Sequence, residues 1–267
     1  MRALGIARAL LMAALPSFLM AFASEAAMNP SAAELYRAGQ YEAAIGKGET
    51  VGGAENLAIA AQAAVVVTTL KGGPCLECAK RAQDLARRAI AADPEQERAY
   101  VVLVAAIGFE SRIIGTFASS SAHLPSDAKR ALDKALTLAP DDPWALTAMG
   151  GWHIEVVRMA GRGFASALYG ARLNEGVAYL KRAVEKAPDD PVVAINYALE
   201  LSTVAFNNRK PEIKDALARA IKAKPRDAYE AAMKARAERL NAVIDSNRRE
   251  YLALASSYLG FPPQSAF

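Results

Sequence analysis

The segment Ala128-Lys129-Arg130-Ala131-Leu132-Asp133-Lys134-Ala135-Leu136-Thr137-Leu138-Ala139-Pro140-Asp141-Asp142-Pro143 ends one amphipathic helix and starts another. Apolar residues three and four apart mark a single helix face, with charges opposite. Pro140 ends the pattern, because proline has no amide hydrogen to donate and its ring collides with the preceding turn. Asp142 is suited to cap the next helix, and Pro143 takes the favoured first helical position. The pattern recurs. Leu132, Ala135, Pro140 and Asp142 return with identical spacing as Leu180, Ala183, Pro188 and Asp190, and again as Leu217, Ala220, Pro225 and Asp227. Ala86, Ala89 and Pro94 form a weaker copy in which Gln96 replaces the acidic residue. A register held in this way marks a repeat architecture, whose units bury their apolar faces by stacking on one another.

Composition agrees with a helical stack. The 267 residues include 32 basic and 28 acidic side chains, and 53% are apolar. That excludes a disordered chain, and two Cys exclude a disulfide-dense scaffold. Alanine occurs 60 times, beside 8 Phe, 9 Tyr and 2 Trp. So much alanine favours helices that approach closely through small side chains, and it argues against a β-sandwich or barrel.

The repeated residues resemble the tetratricopeptide repeat (TPR) family. Ala128, Leu132, Ala135 and Pro140 fit its second-helix signature, and Gly176, Leu180, Ala183 and Pro188 fit nearly as well. Ile213, Leu217, Ala220 and Pro225 depart at the first position, and Ala82, Ala86, Ala89 and Pro94 at the second. Leu146, Met149 and Gly150 match the large, large, small triplet of the first helix, and His153 falls where the family usually has an aromatic. Gly39 to Ile45 looks like the turn inside a repeat. The resemblance runs over residues 31–243. It implies an all-α fold, a right-handed α-solenoid of helical hairpins, occupying 24–260 as one domain with 261–267 as a loose tail. Regular repeats are about 34 residues long, whereas successive prolines at 94, 140, 188 and 225 lie farther apart. The surplus falls between the two helices of a repeat and implies lengthened turns there. These inserts carry Phe117, Phe164 and Phe206 among small residues. Inserts at equivalent positions of a solenoid map to one face, often the binding face; filling gaps between long helices is the alternative.

The resemblance implies a scaffold that binds a protein or peptide on a concave surface made by the first helices. Tyr100, Trp144, His153, Asn196 and Tyr197 are the expected contacts, with Phe117 and Phe164 from the inserts. The rival reading is a carrier for a small apolar molecule, for which exported TPR-like proteins associated with solute transporters are a precedent. No cofactor, metal or nucleic acid is expected, and a membrane only through a partner.

Catalytic chemistry finds little support in the residues. Cys75 and Cys78 open a helix and suit a local disulfide in an oxidising compartment, with a redox pair as the rival. His153, with Glu155 and Arg158 nearby, has no nucleophile paired with it by any motif, which favours a packed histidine over a general base. Lys222, Lys224, Arg226, Lys234, Arg236 and Arg239 form a basic cluster without stacking aromatics and read as a solvated face.

Met1–Ala23 has the zones of a secretory signal peptide: Arg2 and Arg8, an uncharged run from Ala9 to Phe22, and small residues at Ala21 and Ala23. The run is shorter than the roughly 20 residues a bilayer needs, and Pro16 interrupts it. No Cys follows for lipid attachment, no later segment reads as a span, and a periplasmic or otherwise exported location is expected. N-terminal sequencing of the exported protein should return Ser24; an intact Met1 in the membrane fraction would refute cleavage.

Overall fold

A computed structural model describes residues 30–71 and 74–262, and the signal segment lies outside the described residues. Ser31–Phe267 is one compact unit. Among its described residues there are eleven α-helices and no strand: α1 Ala32–Arg37, α2 Tyr41–Val51, α3 Ala54–Leu70, α4 Leu76–Ala92, α5 Glu97–Ser121, α6 Leu124–Leu138, α7 Pro143–Phe164, α8 Leu173–Lys186, α9 Pro191–Lys222, α10 Ala228–Val243 and α11 Arg248–Tyr258.

The repeated acidic residues do what their spacing demands. Asp142 Oδ1 accepts the Ala145 N–H at 2.7 Å, Asp190 Oδ1 those of Val192 and Val193 at 2.8 and 3.1 Å, and Asp227 Oδ1 that of Glu230 at 2.8 Å. Each satisfies a helix N-terminus that would otherwise leave amide donors open. Pro143 and Pro191 occupy the first turns of α7 and α9.

Two layers result. The odd-numbered helices α1, α3, α5, α7 and α9 pack on one another in order, and α2, α4, α6 and α8 each lie against the odd helix before and after. Small residues let the layers touch. A Cβ on Gly150 of α7 would stand 2.6 Å from Leu180 Cγ and 2.9 Å from the Gly176 carbonyl of α8. Leu132, Leu180 and Leu217, the large residues of the repeated register, are all fully buried.

The inserts are not lengthened turns. α5 and α7 run on as helix beyond kinks at Gly115 and Gly161, whose φ values of 84° and 75° are left-handed, and a short π-helical turn, Ala165–Tyr169, completes the second insert. In the third, α9 bends at Ala205 and Arg209 and resumes around Pro211. Phe206 there is buried against Tyr251.

Three further expectations are corrected. α5 is long and apolar enough to pass a membrane-span test by length and composition, yet it packs among α3, α4, α6 and α7 and carries Glu110 and Arg112. Phe261 does not begin a loose tail: it is buried, beneath the Arg112 and Arg158 guanidiniums. Arg236, assigned to a solvated face, donates to the Thr69 carbonyl at 2.7 Å and lies over the Tyr258 ring.

The last two helices turn back over the odd-helix layer. α10 packs on α9 and reaches α1, where a Cβ on Gly39 would lie 2.9 Å from the Ala228 Cβ. α11 packs on α9 and α10, and the Leu259 carbonyl accepts from Arg112 of α5 at 3.2 Å.

Substitutions should separate these contacts. Leu180→Ala should cost the roughly 2–5 kcal/mol of a core truncation, and Gly150→Ala about 1–3 kcal/mol of overpacking. Gly46→Ala, inside α2 with nothing within 4 Å of the added carbon, should gain about 0.5–1 kcal/mol. Denaturant titration of the three variants checks the order.

Candidate functional site

Between the odd-helix layer and the returning α10 and α11 lies an apolar cleft of about 210 Å³. Val65 of α3, Val104 and Ile107 of α5, Trp152, Val156 and Met159 of α7, Val193 and Leu199 of α9, and Met233 of α10 line it, with Tyr258 from α11. Trp152 is fixed by its indole N–H, which donates to the Pro125 carbonyl at 2.8 Å.

The same wall holds charged side chains. Arg112 Nε donates to Glu155 Oε1 at 2.8 Å, and its terminal nitrogens reach Glu200 Oε1 at 3.5 Å and the Leu259 carbonyl. Arg158 Nε donates to Glu155 Oε2 at 2.8 Å. Burial alone would push the Glu155 carboxyl up, but the two guanidiniums hold it below the usual carboxylate range. Glu200 differs: burial, with the Glu155 charge beside it, pushes it up to about 7 against the pull of Arg112. Its Oε2 has no hydrogen-bond partner. Gly151 makes room for it, since a Cβ there would sit 3.2 Å from Glu200 Oε1. Desolvation dominates wherever the opposite charge is shared or distant, and Glu200 has the poorer half of a shared arginine.

A second, more polar groove of about 1020 Å³ runs past the starts of α5, α7, α9 and α10. It carries both signs of charge, with Glu97, Asp142 and Asp227 among its acids and Arg37, Lys186 and Arg226 among its bases. Arg226 bridges Asp190 at 2.8 Å and Glu230. Glu97 is pushed up to about 7 by burial and by Asp142. Val101 and Trp144 line both hollows, so Trp144 is a wall between them; its N–H donates to Asp190 Oδ2 at 3.2 Å.

The residues expected to bind a partner do not gather in one place. Trp144 and Asn196 line the cleft, the Asn196 amide donating back to the Val192 carbonyl at 2.8 Å. Tyr100 donates to the Pro94 carbonyl and lines neither hollow. Tyr197 is buried and its hydroxyl donates to Glu212. His153 is buried too, between Trp152 and Tyr179, with Nδ1 accepting the Arg172 N–H at 3.0 Å. It fastens the chain before α8 to α7 and is not a groove residue; burial lowers its pKa. Phe117 and Phe164 are exposed. Cys75 and Cys78 are disulfide-bonded at the start of α4, with Cα atoms 5.3 Å apart.

Sequence reasoning missed Arg112, Glu155 and Glu200 as a group. Glu155 and Glu200 interrupt apolar runs of α7 and α9, but nothing local in the sequence pairs them with Arg112. Among the described residues no group of three His, Cys, Asp or Glu could hold a metal ion. The geometry is that of an apolar hollow with one under-partnered carboxyl. No protein-family model matches the chain, and a search of the curated proteins returns no match.

Glu200 makes stability depend on pH. An acid raised in the folded state keeps a proton that the unfolded chain has released, so its contribution is full below the ordinary value of 4.5 and lost as pH rises toward 7. Glu97 acts in the same direction. Glu200→Gln should therefore reduce the fall in denaturation midpoint between pH 4.5 and 7.5; an unchanged fall would assign it elsewhere. Arg112→Met, which leaves buried Glu200 without its cation and Glu155 with Arg158 alone, should cost about 3–5 kcal/mol at neutral pH by the same measurement.

Proposed function

We propose that the chain is an exported α-solenoid of TPR-type hairpins whose C-terminal helices turn its inner face into a cleft for a small, mainly apolar molecule. The observation that carries this is the position of α10, α11 and Phe261 across the odd-numbered helices. A peptide laid along that inner face would have to displace them. What they leave is a hollow with walls of Val, Ile, Leu, Met and Trp, the lining that small-molecule sites favour. At about 210 Å³ it suits a single ring or a short chain; an apolar cavity of about 150 Å³ holds benzene.

The polar groove supports a second reading, the binding of a protein segment. Its size and its two signs of charge suit an extended, charged chain, and it lies clear of α11.

Titration with indole and with butylbenzene, read as a shift in thermal midpoint, tests the first. A ligand at a hundred times its Kd should add about 2.7 kcal/mol to stability. Ala148→Phe, which places a ring in the cleft, should abolish the shift while the variant stays helical. Equal shifts in parent and variant, or none in either, would reject the cleft. Capture of a protein segment that survives Ala148→Phe would support the groove.

A further inference from the structure

Only four large apolar side chains are well exposed among the described residues, and three of them, Phe117, Phe164 and Leu168, belong to the two inserts. Their exposures are 87%, 70% and 69%. Each follows a left-handed glycine, Gly115 or Gly161, that redirects the helix. The inserts lie side by side, since the Tyr169 hydroxyl donates to Ser120 Oγ at 3.5 Å. Exposure is not a property of inserts in general, because Phe206 in the third is buried under Tyr251 and Arg248.

Arginine is the only charged residue type within residues 111–126 and 156–174, at Arg112, Arg158, Arg162 and Arg172, with Glu110, Asp127, Glu155 and Glu175 at their borders. Arg112 and Arg158 are committed to Glu155, and Arg172 pairs with Glu175. Arg162 is exposed beside Phe164. None of Phe117, Phe164 and Leu168 lines either hollow. A protein hot spot is a side chain seated in a packed pocket, whereas apolar side chains without a pocket, flanked by cations, suit a fluid anionic interface.

We propose that this end of the molecule docks on an anionic lipid bilayer, with Phe117, Phe164 and Leu168 entering the interfacial layer and Arg162 meeting lipid phosphate. Ser119, two residues from Phe117, hydrogen-bonds Ser111 at 3.0 Å, and both line the apolar cleft. The docked face thus borders the hollow.

The test uses the full chain and vesicles of phosphatidylcholine with or without phosphatidylglycerol. In F117W, after subtraction of the parent signal from Trp144 and Trp152, emission should shift to the blue and be quenched by brominated lipid on the anionic vesicles alone. The readout is local to position 117, so membrane binding by another segment does not imitate it. F164S/L168S, checked for helicity, should lower vesicle partition by at least about tenfold, the scale expected for withdrawing large apolar side chains. The proposal is overturned by a chain that stays in the supernatant with both vesicles, or by sedimentation without quenching at 117. It is also overturned by a dimer that F164S/L168S abolishes in the absence of lipid, which would make the patch a contact between two copies.

Discussion

One buried guanidinium ties the middle of the helix stack to its C-terminal end. Arg112 belongs to α5, yet it bonds Glu155 of α7, reaches Glu200 of α9 and donates to the carbonyl that ends α11. Phe109 and Phe261 flank it. Taking such a charge out of water is costly and is offset only where most of its donors find acceptors. Successive members of these four elements are separated in sequence by a whole helix. The ion cluster thus fixes a tertiary relation that alternating helix packing alone leaves free: where the last helix stops. Phe261 stays ordered because two guanidiniums lie over its ring.

The layers around it are built by subtraction of volume. Glycine at 150 and 176 lets α7 and α8 approach until backbone meets side chain, and many buried alanines do the same with less strain elsewhere. Close pairing of each hairpin leaves the longer side chains, Trp152, Met159, Met233 and Tyr258, for the space between the odd helices and their cover. Long flexible residues fill that space incompletely, and the hollow is the remainder. Trp144, tied to Asp190, divides it from the polar groove.

The all-helical fold, the capping aspartates and the buried leucines were legible because they follow from local rules: proline ends a helix, aspartate caps one, and a 3.6-residue period picks a face. Leu132, Leu180 and the caps at Asp142, Asp190 and Asp227 were all visible in that way. The inserts read as lengthened turns because nothing local distinguishes a left-handed kink within a helix, as at Gly115 and Gly161, from the end of one. His153 was given two roles, and its packed one follows from Arg172, nineteen residues on. Arg112, Glu155 and Glu200 were opaque as a site for a deeper reason. Their meeting depends on how consecutive hairpins stack, and no periodicity reports which charges in separate apolar helices end up in contact. The returning path of α10 and α11 is equally non-local.

That cover comes from a single stretch of the chain, residues 228–258. Everything that forms the floor and walls of the cleft, from Val65 to Glu200, precedes residue 228. Without α10 and α11 the hollow would be an unroofed trough, with its arginine lacking the Leu259 carbonyl. Walls and cover thus come from separate stretches of chain, and anything that loosens residues 228–259 would open the cleft without touching a residue of its floor.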